Sequence, residues 1–414
     1  MLRQDPGPPG RSSDHAARNA SIGDHGLAAS PRSRTEAVID LAAIAHNTRV
    51  LSRTAGGAAL MAVIKANGFG HGAVEIARAA LGNGASWLGV TSPAEAMALR
   101  NAGIGAPVLM WLYAPNEDLA ALVAAGVDIS VGSMAHLHCV ADAARRCGQA
   151  AKVHLKVDTG MCRGGALPDH WPALIEAAAG LGKAGLIDLA GIWSHLGCAE
   201  DLTDPRLGAQ LAQFGDAVAA AREAGLSARL LHLANSAALL QLPQARFDMV
   251  RAGIALYGVP PLSRGFGLRP AMALTAQVIL AKRVPAGSWV SYGQAYRTDR
   301  ETTLALVPLG FADGVPRAAG RKASVSINGT RCPVAGVISM DQFVVDAGDL
   351  PVEVGDPVLV FGPGDAGEPS AADWAEWAGT NPHEIFTGIG SRVPRRYLPA
   401  SGAELPAAQQ QERA

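Results

Sequence analysis

Lys65 closes the apolar run Leu60-Met-Ala-Val-Ile64 and opens a Gly-rich turn, Ala66-Asn-Gly-Phe-Gly-His-Gly72. A primary amine at such a point is either a solvated surface group or a nucleophile toward an aldehyde carbonyl. The chain has six lysines among 35 basic residues, so an amine here in place of a guanidinium carries information. Further groups with chemistry stand at the ends of later apolar runs. They are Asp158-Thr-Gly-Met-Cys-Arg163, Ser194-His195, His232-Leu-Ala-Asn235-Ser236 and Arg251-Ala-Gly253-Ile254. No His, Cys and carboxylate spacing among them suits a metal ion. The inventory is one amine, two guanidiniums, two imidazoles and turns lined by Ser and Gly.

Something must bring these scattered groups together. Apolar runs expected as strands cover 60–65, 87–91, 107–112, 127–131, 153–158, 189–195, 229–234 and 248–251. Helical patterns alternate with them, among them Pro93–Arg100, Asn116–Ala124, Ser133–Arg146 and Pro205–Ala224. Eight β/α repeats predict a (β/α)8 barrel, whose chemistry gathers at the carboxyl ends of its strands. A doubly wound sheet is the alternative, but no GxGxxG follows the first strand. Glu36–Asp40 is expected to add an edge strand to the barrel. After about residue 270 short alternating runs take over, with Asn328-Gly329 predicting a type I′ hairpin. The expected organisation is a barrel over 35–270 and a mainly β domain over 271–400. Residues 1–34, rich in Pro, Gly, Ser and Arg, and residues 401–414 are expected to be unstructured tails.

Composition narrows the class. A formal charge of -1 gives no reason to expect nucleic acid or an anionic membrane as a partner. No apolar run reaches the ~20 residues that a membrane helix needs. Five scattered cysteines without a CxxC pair fit reduced thiols and a cytoplasmic setting.

The strand-end set suits pyridoxal 5'-phosphate. The Lys65 amine condenses with the aldehyde. Ser236 and Gly253-Ile254 lie in the loops after the seventh and eighth barrel strands, where barrels commonly hold phosphate. Arg251 is placed to face a pyridine nitrogen.

At this point a resemblance emerges, running from about Thr35 to Tyr397. Its motifs are Ala62-Val-Ile-Lys-Ala-Asn-Gly-Phe-Gly-His-Gly72, Asp158-Thr-Gly-Met-Cys-Arg163, His232-Leu-Ala-Asn-Ser236, Arg251-Ala-Gly-Ile-Ala-Leu-Tyr-Gly258, Ser291-Tyr-Gly293, Gly310-Phe-Ala-Asp-Gly314, Met340-Asp-Gln342 and Arg392-Val-Pro-Arg395. In this order they resemble the alanine racemases, fold-type III enzymes dependent on pyridoxal phosphate. The resemblance implies that Lys65 carries the cofactor and is one of two acid/base groups. Tyr292 is implied as the other, delivered by a partner subunit, so that a homodimer shares its active sites. It implies Arg251 at the pyridine nitrogen with His195 in support, and Ser236 with the Gly253–Ile254 backbone at the phosphate. Arg163 and the Met340 backbone N–H are implied at the substrate carboxylate. Lys156 matches a position often carbamylated in the family. The implied reaction is interconversion of L- and D-alanine, which supplies D-alanine for peptidoglycan.

Four residues depart from the family pattern. Phe69 and His383 stand where tyrosines commonly reach the phosphate, Phe311 replaces a Tyr at the substrate entrance, and Ser339 replaces a Cys. These changes keep open a racemase of another small amino acid, such as serine. A non-catalytic pyridoxal-phosphate-binding barrel protein is a further alternative, against which Ser291-Tyr292-Gly293 argues. A decarboxylase of similar build would carry an acid, not Arg251, at the pyridine nitrogen. Residue by residue, simpler readings also stand. Arg251 pairs with Asp248 or Asp313; His71 and His232 bond to backbone; Asp313 and Asp341 are hydrogen-bond scaffolds; Cys162 and Cys198 are inert.

Overall fold

The computed structural model describes residues 33–399. The expected tails at 1–34 and 401–414 lie outside the described residues, Ser33 and Arg34 excepted. Strand β1 (Thr35–Asp40) leads into a helix at Leu41–Ala55, capped by the Asp40 carboxylate, which accepts from Ala42 and Ala43 N–H at 2.7 and 3.1 Å. Eight strands then close a parallel barrel: β2 (Ala59–Val63), β3 (Trp87–Val90), β4 (Val108–Met110), β5 (Asp128–Val131), β6 (Ala151–Lys156), β7 (Ile187–Trp193), β8 (Leu230–His232) and β9 (Met249–Ala252). β9 returns to β2 with Leu60 opposite Val250. The strands are short and rich in Val, Ile, Leu and Ala, with nearly every aliphatic side chain buried. Helices wrap them, among them Pro93–Asn101, Ala120–Ala124, Met134–Cys147 and Pro205–Glu223. The second of these starts four residues later than its sequence pattern predicts.

The C-terminal domain holds β10 (Met272–Gln277), β11 (Leu280–Val284), β12 (Trp289–Val290), β13 (Tyr296–Arg297), β14 (Thr302–Val307), β15 (Ser324–Ile327), β16 (Thr330–Pro333), β17 (Phe343–Gly348), β18 (Pro357–Phe361) and β19 (Arg395–Leu398). Asn328 and Gly329 both have positive φ, 49° and 77°, and turn β15 into β16 as a type I′ hairpin requires. β10 and β11, only two residues apart in sequence, belong to different sheets.

One expectation is overturned. Glu36–Asp40 does not join the barrel. β1 runs between β10 and β19 in a six-stranded sheet ordered β16-β15-β18-β10-β1-β19. Its side chains at Thr35 through Ile39 are all buried, so it is an inner strand and not an edge. The Glu36 carboxylate accepts from Arg396 Nε at 2.7 Å and fixes the pairing of β1 with β19.

Candidate active site

Strand β2 ends at Val63, and Lys65 begins a turn instead of closing the strand. Ala66, Asn67, Gly68 and Phe69 all have φ between 51° and 62°, the left-handed region that non-glycine residues seldom enter. Outside contacts hold this turn. The Ala66 N–H donates to Glu95 Oε1 at 2.6 Å, and the Asn67 side chain accepts from Ala73 N–H at 3.0 Å. Glu95 also accepts from Thr91 and Ser92 N–H, capping the helix Pro93–Asn101. The carboxylate that starts that helix therefore also anchors the turn of Lys65. From the other side the C-terminal domain presses in. Gly70 and Gly72, with φ of 79° and 102°, pass so near the Phe386 carbonyl and the Tyr397 hydroxyl that a methyl at either position would collide with them.

Above Lys65 lies a cavity of about 770 Å³ at the carboxyl mouth of the barrel. Phe69, Lys156, Arg163, His195, Ser236, Arg251, Gly253, Ile254 and His383 share its wall with Lys65. Sequence reasoning therefore placed most of its residues around one space. Tyr292 and Met340 are not part of this wall in the same chain. They stand on the β domain, 74% and 55% exposed, with Phe311 exposed as well.

Local geometry holds the principal lining residues in place. Ser236 Oγ accepts from Gly253 N–H at 2.9 Å and from Ala255 N–H at 3.4 Å, which ties the β8 and β9 loops and leaves the hydroxyl proton free to donate. A methyl on Gly253 would meet the tip of the Phe69 ring at 3.4 Å, so this glycine keeps the floor of the cavity low. Asp158 Oδ1 accepts from the N–H groups of Gly160, Met161 and Cys162 and shapes the loop that presents Arg163.

Arg251 is 5% exposed. Its Nη2 donates to the carbonyls of Ser194 at 2.7 Å and Leu233 at 3.1 Å and lies 3.4 Å from His195 Nδ1. Its Nη1 lies 3.1 Å from His232 Nδ1. Neither Asp248 nor Asp313 is its partner. Asp248 accepts from Leu231 N–H, and Asp313 takes Gly310 N–H and pairs with Arg392. His232 likewise bonds to side chains, where the sequence reading expected backbone. His71 does bond to backbone, through Nδ1 and the Gly68 and Phe69 carbonyls.

Positive charge dominates the cavity. Burial and Arg163 press the Lys65 pKa below its usual value, while Glu95 pulls the other way. Burial, Arg163 and Arg251 bring Lys156 down to about 8. Burial, then the cations Arg251, Arg163, Lys156 and Lys65, hold His195 far below the ordinary imidazole range and hence neutral. Sequence reasoning missed Glu95, Trp193, His154 and Asp128. Each sits inside a strand or helix pattern whose local signal is only structural.

A cation-lined cavity with a reactive amine, a free hydroxyl proton and a glycine floor fits an anionic aldehyde that carries a phosphate. Fold and site together define a barrel enzyme with its chemistry at the carboxyl mouth. A sequence profile of the alanine racemase N-terminal domain matches residues 39–261, and that of the alanine racemase C-terminal domain matches residues 271–397. The chain is 52% identical over 370 residues to the alanine racemase of Frankia casuarinae, covering 88% of this chain and 96% of that protein. It is 52% identical to the alanine racemase of Thermobifida fusca, covering 88% and 98%. The crystal structure of the alanine racemase from D-cycloserine-producing Streptomyces lavendulae superposes with a TM-score of 0.87 at 45% identity, over 89% of this chain and 98% of that one. The alanine racemase of Streptomyces coelicolor gives 0.87 at 49% identity, over 88% and 98%. The chain belongs to the alanine racemase family, whose members depend on pyridoxal phosphate.

Proposed function

We propose that this enzyme interconverts L- and D-alanine by a two-base mechanism in which Lys65 and the Tyr292 of a second copy work on opposite faces of the substrate. The racemase activity, its cofactor pyridoxal 5'-phosphate and its supply of D-alanine to peptidoglycan follow from membership of the family. The observation that carries the reading is the convergence of Lys65, Ser236, Arg251 and Gly253 on one cavity at the barrel mouth.

When bound, the cofactor withdraws electrons from the amino acid's α-carbon and makes its hydrogen acidic. The residues do the rest. Ser236 would donate its hydroxyl proton to the phosphate, held beside the Gly253–Ile254 backbone. Arg251, a donor only, would face the pyridine nitrogen and leave it unprotonated, which would moderate electron withdrawal and limit side reactions. His195, held neutral by its cationic neighbours, supports Arg251. Arg163 and the Met340 backbone N–H bind the substrate carboxylate. Lys65 Nζ takes or returns the α-proton on one face, helped by a pKa below that of a free lysine. Tyr292 Oη does the same on the other face.

Tyr292 and Met340 are exposed on the β domain and absent from their own chain's cavity wall. That supports a homodimer in which each copy completes the other's site. Lys156, with its pKa near 8, is the amine suited to carbamylation by CO2, and its carbamate would accept from Arg163. Among the described residues no helix is long and apolar enough to cross a membrane. All five cysteines are free, which supports a reducing compartment, the cytoplasm.

Incubation with L-alanine and, separately, L-serine in deuterated water tests the reading. D-alanine carrying α-deuterium is the expected product. Faster conversion of serine would reassign the substrate. Absence of any D-enantiomer from a cofactor-loaded protein would leave only cofactor binding.

A further inference from the structure

Arg251 is a buried guanidinium surrounded by Lys65, Lys156 and Arg163, and among the described residues it forms no ion pair with a carboxylate. Its compensation comes from farther away. His232 Nε2 lies 2.9 Å from His154 Nδ1, and His154 Nε2 lies 3.2 Å from Asp128 Oδ2. His154 and His232 are 0% exposed and Asp128 is 2% exposed. The four residues come from β9, β8, β6 and β5. They cross the barrel interior from its carboxyl mouth, at Arg251, to the amino end of β5, at Asp128.

Donor chemistry fixes the direction of every link. A guanidinium only donates and a carboxylate only accepts. Arg251 Nη1–H must therefore donate to His232 Nδ1. That leaves the His232 proton on Nε2, where it donates to His154 Nδ1, and the His154 proton on Nε2, where it donates to Asp128. Both rings are neutral and each has one allowed tautomer. A further proton on either ring would set N–H against N–H.

The surroundings are built for this path. β7 lies between β6 and β8, and a methyl at its Gly191 would collide with the His154 ring, so the imidazole crosses that strand where no side chain stands. Trp193 stacks on His232 at 5.6 Å and 6°, and Trp87 meets His154 edge-on at 5.6 Å.

We infer that Asp128 is a positioning residue for the reaction, acting through His154 and His232 to hold Arg251 charged and aimed as a donor. The inference rests on the reading that Arg251 faces the cofactor ring. Its chemical core, the two fixed tautomers, does not.

The test uses holoenzyme with 15N-labelled histidine, the two ring signals being assigned by His154→Gln and His232→Gln. Wild-type protein is expected to show both rings as Nε2–H tautomers across mildly acidic to mildly alkaline buffer. Asp128→Asn keeps the shape and removes the charge. Arg251 alone still fixes both tautomers, so the variant is expected to keep them, to shift the His154 Nε2 signal as its charged acceptor is lost, and to lower kcat about tenfold, the effect of losing one charged hydrogen bond, with KM nearly unchanged. Wild-type rings protonated on Nδ1, or an Asp128→Asn enzyme with an unaltered His154 Nε2 signal and unaltered kcat, would overturn the inference. Fixed tautomers in a protein that fails to racemise alanine would uphold the relay and count against the racemase reading instead. The wild-type measurement stands even if the variant does not fold.

Discussion

The Lys156 ammonium lies 4.7 Å from the centre of the Trp193 ring, and the Arg251 guanidinium lies 4.9 Å from the same ring. One indole thus serves two cations that repel each other. The arrangement partly offsets the cost of burying both, since a cation over an indole face is attracted by ~1 kcal/mol or somewhat more. The remaining strain shows in Lys156, whose pKa falls to about 8.

That lowered value has a definite sign in stability. The unfolded chain holds the Lys156 proton up to about pH 10.5 and the folded chain only to about pH 8, so the charge opposes folding below pH 8. The penalty is relieved as pH rises from about 8 toward 10.5. Replacing Lys156 by Met should therefore stabilise the CO2-free protein most below pH 8, with the advantage shrinking across that window in urea melts.

Carbamylation should follow the same titration. Raising pH through 8 in bicarbonate should increase the fraction of Lys156 that carries one added CO2, read by gentle mass spectrometry. An unmodified Lys156 at every pH would remove the carbamate from the site.

Lys65→Arg keeps a cation at the turn but removes the condensing amine. The variant should fold, lose the absorbance band of the lysine-bound cofactor and lose racemisation. Retention of that band would point to a different lysine as the anchor.

Tyr292→Phe should lower turnover by about two to four orders of magnitude, the usual size of a lost acid/base group. Cofactor absorbance should persist, because Lys65, Ser236, Arg251 and Gly253, the residues assigned to hold the cofactor, are unchanged. Mixing Tyr292→Phe with Lys65→Arg subunits should recover activity in the hybrid dimer, which carries one intact site. Failure of that complementation would oppose a shared site.

Phe69→Tyr restores a hydroxyl where the ring tip meets the Gly253 floor. It should tighten the cofactor by ~1 kcal/mol, about fivefold in Kd, measured by equilibrium dialysis.

The barrel was legible because each strand and each helix carries its own local pattern. The cavity was legible because a barrel collects its strand ends at one mouth, so residues as far apart as Lys65 and Arg251 needed only the strand order to be brought together. β1 was misassigned because an alternating run such as Glu36–Asp40 looks alike beside any sheet, and its partners lie some 240 and 360 residues away. Asp128 and His154 escaped for a related reason. A polar residue inside a short strand has no local signature that separates a relay from a satisfied core group. Only the stagger of neighbouring strands joins them to Arg251.

The sheet position of β1 also sets an order of events in biosynthesis. Among the described residues the first strand is flanked by two of the later ones, and the barrel is completed between them. Until β19 emerges, β1 presents an unpaired, wholly buried-type edge while the barrel beside it can already close. An interrupted translation product would carry that sticky edge permanently, so nascent chains of this enzyme have an aggregation hazard that ends only with synthesis of residues 395–398.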